Sequence, residues 1–96
     1  MSVLTGKEKK CYITGQEIDL HKHHIYFGAG QRKISDRNGF WVYLVPNLHN
    51  MSKNGVHGKN GHELDLFLKR ECQEAYEKKH TREEFMQLIG RNYLEG

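Results

Sequence analysis

The sequence predicts an α+β fold, with a small hairpin-and-helix core followed by two C-terminal helices. Three observations carry this. "FWVYLV" (40–45) is an aromatic and β-branched run stopped by Pro46, as a strand should be. From Glu63 the apolar residues switch to a spacing of three to four, the mark of an amphipathic helix. A second helical stripe then follows "TREE", in which Thr81 and Glu84 have the spacing of a capping box. Ninety-six residues allow one domain with one core. The hairpin and its site fall at about 11–58 and the helical tail at about 62–94.

Taken in order, Cys11, Tyr12, Ile13 and Thr14 are strand formers broken by Gly15, so "KCYITGQEI" reads as a short strand and a turn. Residues 20–27 end in Ile25-Tyr26-Phe27 and read as a second extended piece. "GAGQRKISDRNG" (28–39) holds three glycines, four charges and no apolar run, which predicts a loop. Strand, loop and "FWVYLV" together suggest an antiparallel hairpin with an excursion at its tip. Pro46 at a first helical turn predicts one or two turns over "PNLHNMS", and "NGVHGKNGH" reads as irregular. Leu64, Phe67, Leu68, Cys72, Ala75 and Tyr76 give a helix to about Lys79. Phe85, Leu88 and Ile89 are the stripe of the last helix, which Gly90 is placed to end.

No stretch approaches the ~20 apolar residues of a membrane span, and "MSVLTGKEKK" lacks an apolar core before a cleavage site, so a cytoplasmic location is expected. Cys11 and Cys72 form no CxxC pair and are expected to be reduced. The net charge of +3 permits a phosphate partner without demanding one. Its distribution says more. Residues 1–61 carry nine Lys and Arg against four acids, and the last 35 residues hold the other eight acids.

Five of the seven histidines lie between 21 and 57: three in "HKHH", then His49 in "LHN" and His57 in "GVHG". Strand-end ligands combined with ligands from a following helix suit a metal site. Three imidazoles around a divalent cation, with water in the open positions, is the arrangement of a catalytic metal rather than a structural one. An all-histidine set suits zinc, nickel, cobalt or manganese; an amide with waters suits magnesium.

"HKHHI" at 21–25, "FWVYLVPNLHN" at 40–50 and "GVHG" at 55–58, in that order, resemble an HNH endonuclease of the ββα-metal (His-Me finger) type. Within it the chain is similar to short phage proteins of the Ref-type, RecA-dependent recombination nuclease family. The resemblance implies metal-dependent hydrolysis of DNA phosphodiester bonds, leaving 3′-hydroxyl and 5′-phosphate ends. It implies that His23 is a metal ligand and His24 the general base, that His49 is a second ligand, and that His57 completes the set around one divalent ion (Zn, Mg, Mn or Ni). The middle asparagine of the motif falls at Asn38, Asn47 or Asn50. Asn47 is favoured, because an amide at the end of the second strand can reach back to the hairpin. The CxxCH of zinc-ribbon relatives is replaced by "VPNLH", against a second, structural zinc. DNA is the implied partner, with a RecA-type filament as a source of targeting and no membrane involved.

Strand alternation raises an objection. Neighbours on a regular strand point to opposite faces, so His21 and His23 should share one and His24 should not join them. The family places the pair where the strand ends against the helix, so that both reach one phosphate; otherwise the ligands become His21 and His23, and His24 drops out. Plainer readings run alongside. His21 and Lys22 read as solvated strand residues, and His62 and His80 as helix-flanking polar groups. Phe40, Trp41 and Tyr43 read as core. Arg32, Lys33 and Arg37 read as a solvated run, but with a phosphate in the hairpin Arg32, Lys33 and Lys53 become candidate DNA contacts. Two other functions compete with a nuclease: a zinc-stabilised nucleic-acid-binding module without turnover, and an accessory protein that docks to a recombinase through its helical tail.

Overall fold

The computed structural model describes residues 1–28, 30–49 and 61–94. Its elements run β1 (His21–His24), α1 (Gln31–Asn38), β2 (Trp41–Leu44), α2 (Pro46–His49), α3 (His62–Tyr76) and α4 (Arg82–Ile89). The class is α+β. A two-stranded antiparallel sheet pairs His21 with Leu44, Lys22 with Tyr43, His23 with Val42 and His24 with Trp41. Among the described residues no helix is long and apolar enough to cross a membrane.

Two expected elements differ. Cys11–Thr14 is a tight turn that touches the sheet at a single bridge, with Tyr12 N–H donating to the Tyr43 carbonyl at 2.9 Å. The chain reverses at once, because Cys11 N–H donates to the Gln16 carbonyl and Gly15 N–H to the Cys11 carbonyl. Gly15 sits at φ +79°, a left-handed conformation that glycine takes without a Cβ clash. Too few residues remain extended for a ladder.

The second difference lies at 31–38, a helix where a loop was expected. Its inward residue is a serine. The Ser35 hydroxyl donates to the Tyr26 carbonyl at 2.6 Å and accepts from Tyr26 N–H at 3.1 Å, wholly buried. This satisfies both backbone groups of Tyr26 where the ladder has ended. An amphipathic stripe is absent because a hydrogen bond, with Ile34 beside it, anchors the helix. The flanking glycines are its ends: Gly30 and Gly39 both have left-handed φ.

The core forms where the hairpin meets the C-terminal helices. Tyr26, Phe40 and Phe85 are fully buried with ring centroids 5.5–6.1 Å apart, mostly edge to face. Val42 and Leu44 from β2 and Leu68 and Cys72 from α3 complete it. Each fully buried large apolar side chain contributes about 1.5–3 kcal/mol. Phe67, expected inward, is 44% exposed, whereas Gln73 is fully buried. The Gln73 amide donates to Glu77 Oε2 and accepts from Tyr93 N–H at 2.8 Å, tying the C-terminal segment to α3. The Thr81 capping box and the Gly90 stop of α4 are both present. Cys11 and Cys72 are buried free thiols.

Candidate functional site

Alternation along β1 sorts its four residues into two environments. His21 and His23 share the face of Val42 and Leu44, which points into the protein, and His23 is 1% exposed. The turn at Pro46 then raises α2 against that face, with the N–H groups of Leu48 and His49 both donating to the Val45 carbonyl. The His49 ring therefore lies 5.3 Å, centroid to centroid, from both His21 and His23. The Nδ1 atoms of His21 and His49 are 3.1 Å apart. Two nitrogens on one tetrahedral zinc, at 2.0–2.1 Å each, lie about 3.3 Å apart. The pair is thus at chelating separation, or joined by one hydrogen bond if one ring carries its proton on Nδ1.

The structure brings the expected ligands His23 and His49 together and adds His21, which is not a solvated strand residue. His57, the remaining expected ligand, lies outside the described residues, as do Asn50 and Lys53. Among the described residues no three His, Cys, Asp or Glu side chains converge in ligating geometry. Phe27 closes the inner side, its ring 6.0 Å from that of His23, and the Lys69 ammonium lies over Phe27 at 4.6 Å.

His24 and Lys22 share the opposite face with Trp41 and Tyr43. His24 Nε2 is 3.3 Å from Asp36 Oδ1, and Lys22 Nζ is 2.7 Å from the same oxygen. Lys22 also lies over the Trp41 ring at 4.5 Å. Hydrogen bonding from Lys22, then from His24, holds the Asp36 carboxyl below the ordinary aspartate range, so it is ionised at neutral pH. His24 is the last residue of β1, and its ring reaches the strand end. There Lys22, His24, Phe27, Arg32 and His49 line one cleft of about 230 Å³. The adjacent histidines thus diverge, yet His24 and His49 line the same cleft.

The remaining candidates separate. Asn47 is exposed and lines a different depression, with Gln16, Asp19, Leu20 and His21, and the His24 cleft does not include it. That depression is larger, about 540 Å³, but the ionised pair and the cations lie at the smaller one. The Asn38 amide donates to the Ile34 carbonyl at the far end of α1. Arg32 lines the cleft one helical turn before Asp36, whereas Lys33 lies about 100° round the helix. Phe40 is core as expected, but Trp41 and Tyr43 are half-buried on the outer face. His80 stacks on Tyr76 at 4.2 Å, away from the site.

Reading from sequence missed Asp36, and also Lys22 as a cleft residue. The signal for Asp36 was its i,i+4 spacing from Arg32, which acquires meaning only once 31–38 is a helix. No family model, curated protein or solved structure matches the chain. The functional reading rests on these residues and their geometry.

Proposed function

We propose that the chain is a metal-dependent HNH-type endonuclease that hydrolyses DNA phosphodiester bonds. The observation that supports this best is the cleft itself. It joins a histidine of the imidazole cluster, a separate histidine free of that cluster, and two cations, Lys22 and Arg32. A binding module has no use for His24 beside a metal site; a hydrolase needs a base there.

The donor set fits a divalent ion, since two imidazole nitrogens already stand at chelating separation with a third ring beside them. His21, His23 and His49 would hold it, with His57 following in the chain. When bound, the ion supplies positive charge against the phosphate and leaving oxygens. Neutral His24 takes a proton from the attacking water through the ring nitrogen that carries a lone pair. Lys22 and Arg32 bind the phosphate oxygens and orient the scissile bond across the cleft. The setting implied by the resemblance belongs to the same proposal: phage recombination in the bacterial cytoplasm, with a RecA-type filament as targeting partner.

Nicking of supercoiled plasmid across a panel of divalent metals tests this reading. The expected result is metal-dependent nicking that His24→Ala removes. A protein that binds zinc tightly and shifts DNA, yet fails to nick with every metal of the panel, would instead be a zinc-stabilised binding module.

A further inference from the structure

A histidine acting as a base must present a lone pair toward its substrate, which requires its other nitrogen to hold the proton. Among the described residues the acceptor at His24 is Asp36 Oδ1, 3.3 Å from Nε2. The carboxylate is fixed by the same device that makes α1 a helix. The neighbouring Ser35 hydroxyl is clamped to both backbone groups of Tyr26, two residues beyond His24. The arm that carries Asp36 is therefore tied to the end of the strand that carries His24. Lys22 Nζ holds the same oxygen at 2.7 Å, so the shorter contact is with the lysine. Lys22 and Arg32 also line the cleft that would admit a phosphate.

We propose that Asp36 is the positioning residue for His24, and that a phosphate entering the cleft draws Lys22 off Asp36 so that this bond tightens. Its activity readout rests on the nuclease reading above. Asp36 accepts from His24 Nε2–H and leaves Nδ1 as the basic nitrogen. With the cleft empty, Lys22 competes for Oδ1 and the His24 contact is long. A phosphate oxygen then takes over the Lys22 ammonium, and Oδ1 turns to His24 alone. Catalytic hydrogen bonds that are loose in the free protein commonly tighten with substrate in this way.

Two measurements on the zinc-loaded protein test it. Imidazole ¹⁵N spectroscopy identifies which His24 nitrogen carries the proton in the neutral ring, whatever the activity. The expected state is Nε2–H, moving further toward a strong hydrogen bond on addition of inorganic phosphate. Lys22→Met should produce that change without phosphate. Asp36→Asn, whose amide can donate to Nε2, should shift the ring toward Nδ1–H. In plasmid nicking, Asp36→Asn should lower kcat by about 10²–10⁴ with KM changed less than about twofold, and Asp36→Glu should recover part of kcat. Lys22→Met should act on KM instead. A His24 spectrum that is the same in Asp36→Asn, or an unchanged kcat in that variant, overturns the inference. If the wild type fails to nick with every metal tested, the nuclease reading falls, while the spectra still decide whether Asp36 holds His24.

Discussion

The two faces of β1 differ by one step along the chain and hold opposite chemistry. On the inner face His21 and His23 sit among Val42, Leu44, Phe27 and the ring of His49, with His23 almost fully buried. An imidazole that ligates a metal does so through a nitrogen lone pair. On the outer face His24 and Lys22 converge on an ionised carboxylate and a cation-binding tryptophan. In the proposed nuclease, one face would hold a cation and the other a proton and an anion. The contrast implies that binding and chemistry are separable by single substitutions on a four-residue strand.

The largest expected effect breaks the inner face. His49→Ala removes the ring that joins His21 to His23 and should abolish both metal binding and nicking. Ligand binding to the folded state stabilises it by about 2.7 kcal/mol at a hundred times Kd. For a domain of this size that is on the order of a 10–20 °C rise in Tm with zinc. The wild type should show that rise and His49→Ala should not; a variant that keeps it would move the metal away from this face. His23→Ala should behave alike.

The next effect breaks the outer face alone. His24→Ala should lower the nicking rate by about 10²–10⁴ while keeping the zinc-dependent rise in Tm. Loss of both together would mean that His24 ligates after all, and the separation of the faces would collapse.

Much of this contrast was legible in the sequence. Period-two alternation alone places His21 with His23 and sends His24 across, because a strand has no other way to arrange neighbours. Helix α4 was legible from Thr81, Glu84 and Gly90, whose capping chemistry is local. Helix α1 was not, since its anchor is a single Ser35 hydroxyl bonded to a residue nine positions away. The outer site depended on that miss. Asp36 looks like one charge in a polar loop until the helix brings it over His24. The burial of Gln73, in contrast to the exposed Phe67, was not legible either: Gln73 is buried because Tyr93 and Glu77 satisfy its amide.

A smaller effect concerns how α1 is held over the outer face. Gly39 closes the helix at φ +76°, and a Cβ there would stand 2.3 Å from the Met1 carbonyl oxygen. Gly39 also accepts from Val3 N–H, so the N-terminal segment is packed against it. Left-handed backbone at a non-glycine residue costs roughly 1–2 kcal/mol, and the backbone clash adds to it. Gly39→Ala should lower Tm on the order of 10 °C or more. Gly30, also left-handed but with open space around it, should cost less when replaced by alanine. Equal losses at the two positions would show that conformation alone, and not the packed N-terminal segment, sets the cost at Gly39.

The smallest effect separates two adjacent cations. Arg32 lines the cleft beside His24, one turn before Asp36, and its guanidinium can grip a phosphate there. Lys33 lies about 100° round the helix, on the side of Arg37. Neutralising one phosphate contact on duplex DNA lowers the log–log salt slope of binding by about 0.9. Arg32→Ala should show that loss, with a few-fold weaker binding, and Lys33→Ala should leave the slope unchanged. Binding isotherms at several salt concentrations measure both. If the two substitutions reduce the slope equally, DNA runs along the length of α1, and the outer face extends well beyond the cleft. If only Lys33→Ala reduces it, the phosphate lies on the other side of the helix, and His24 cannot be the base that acts on it.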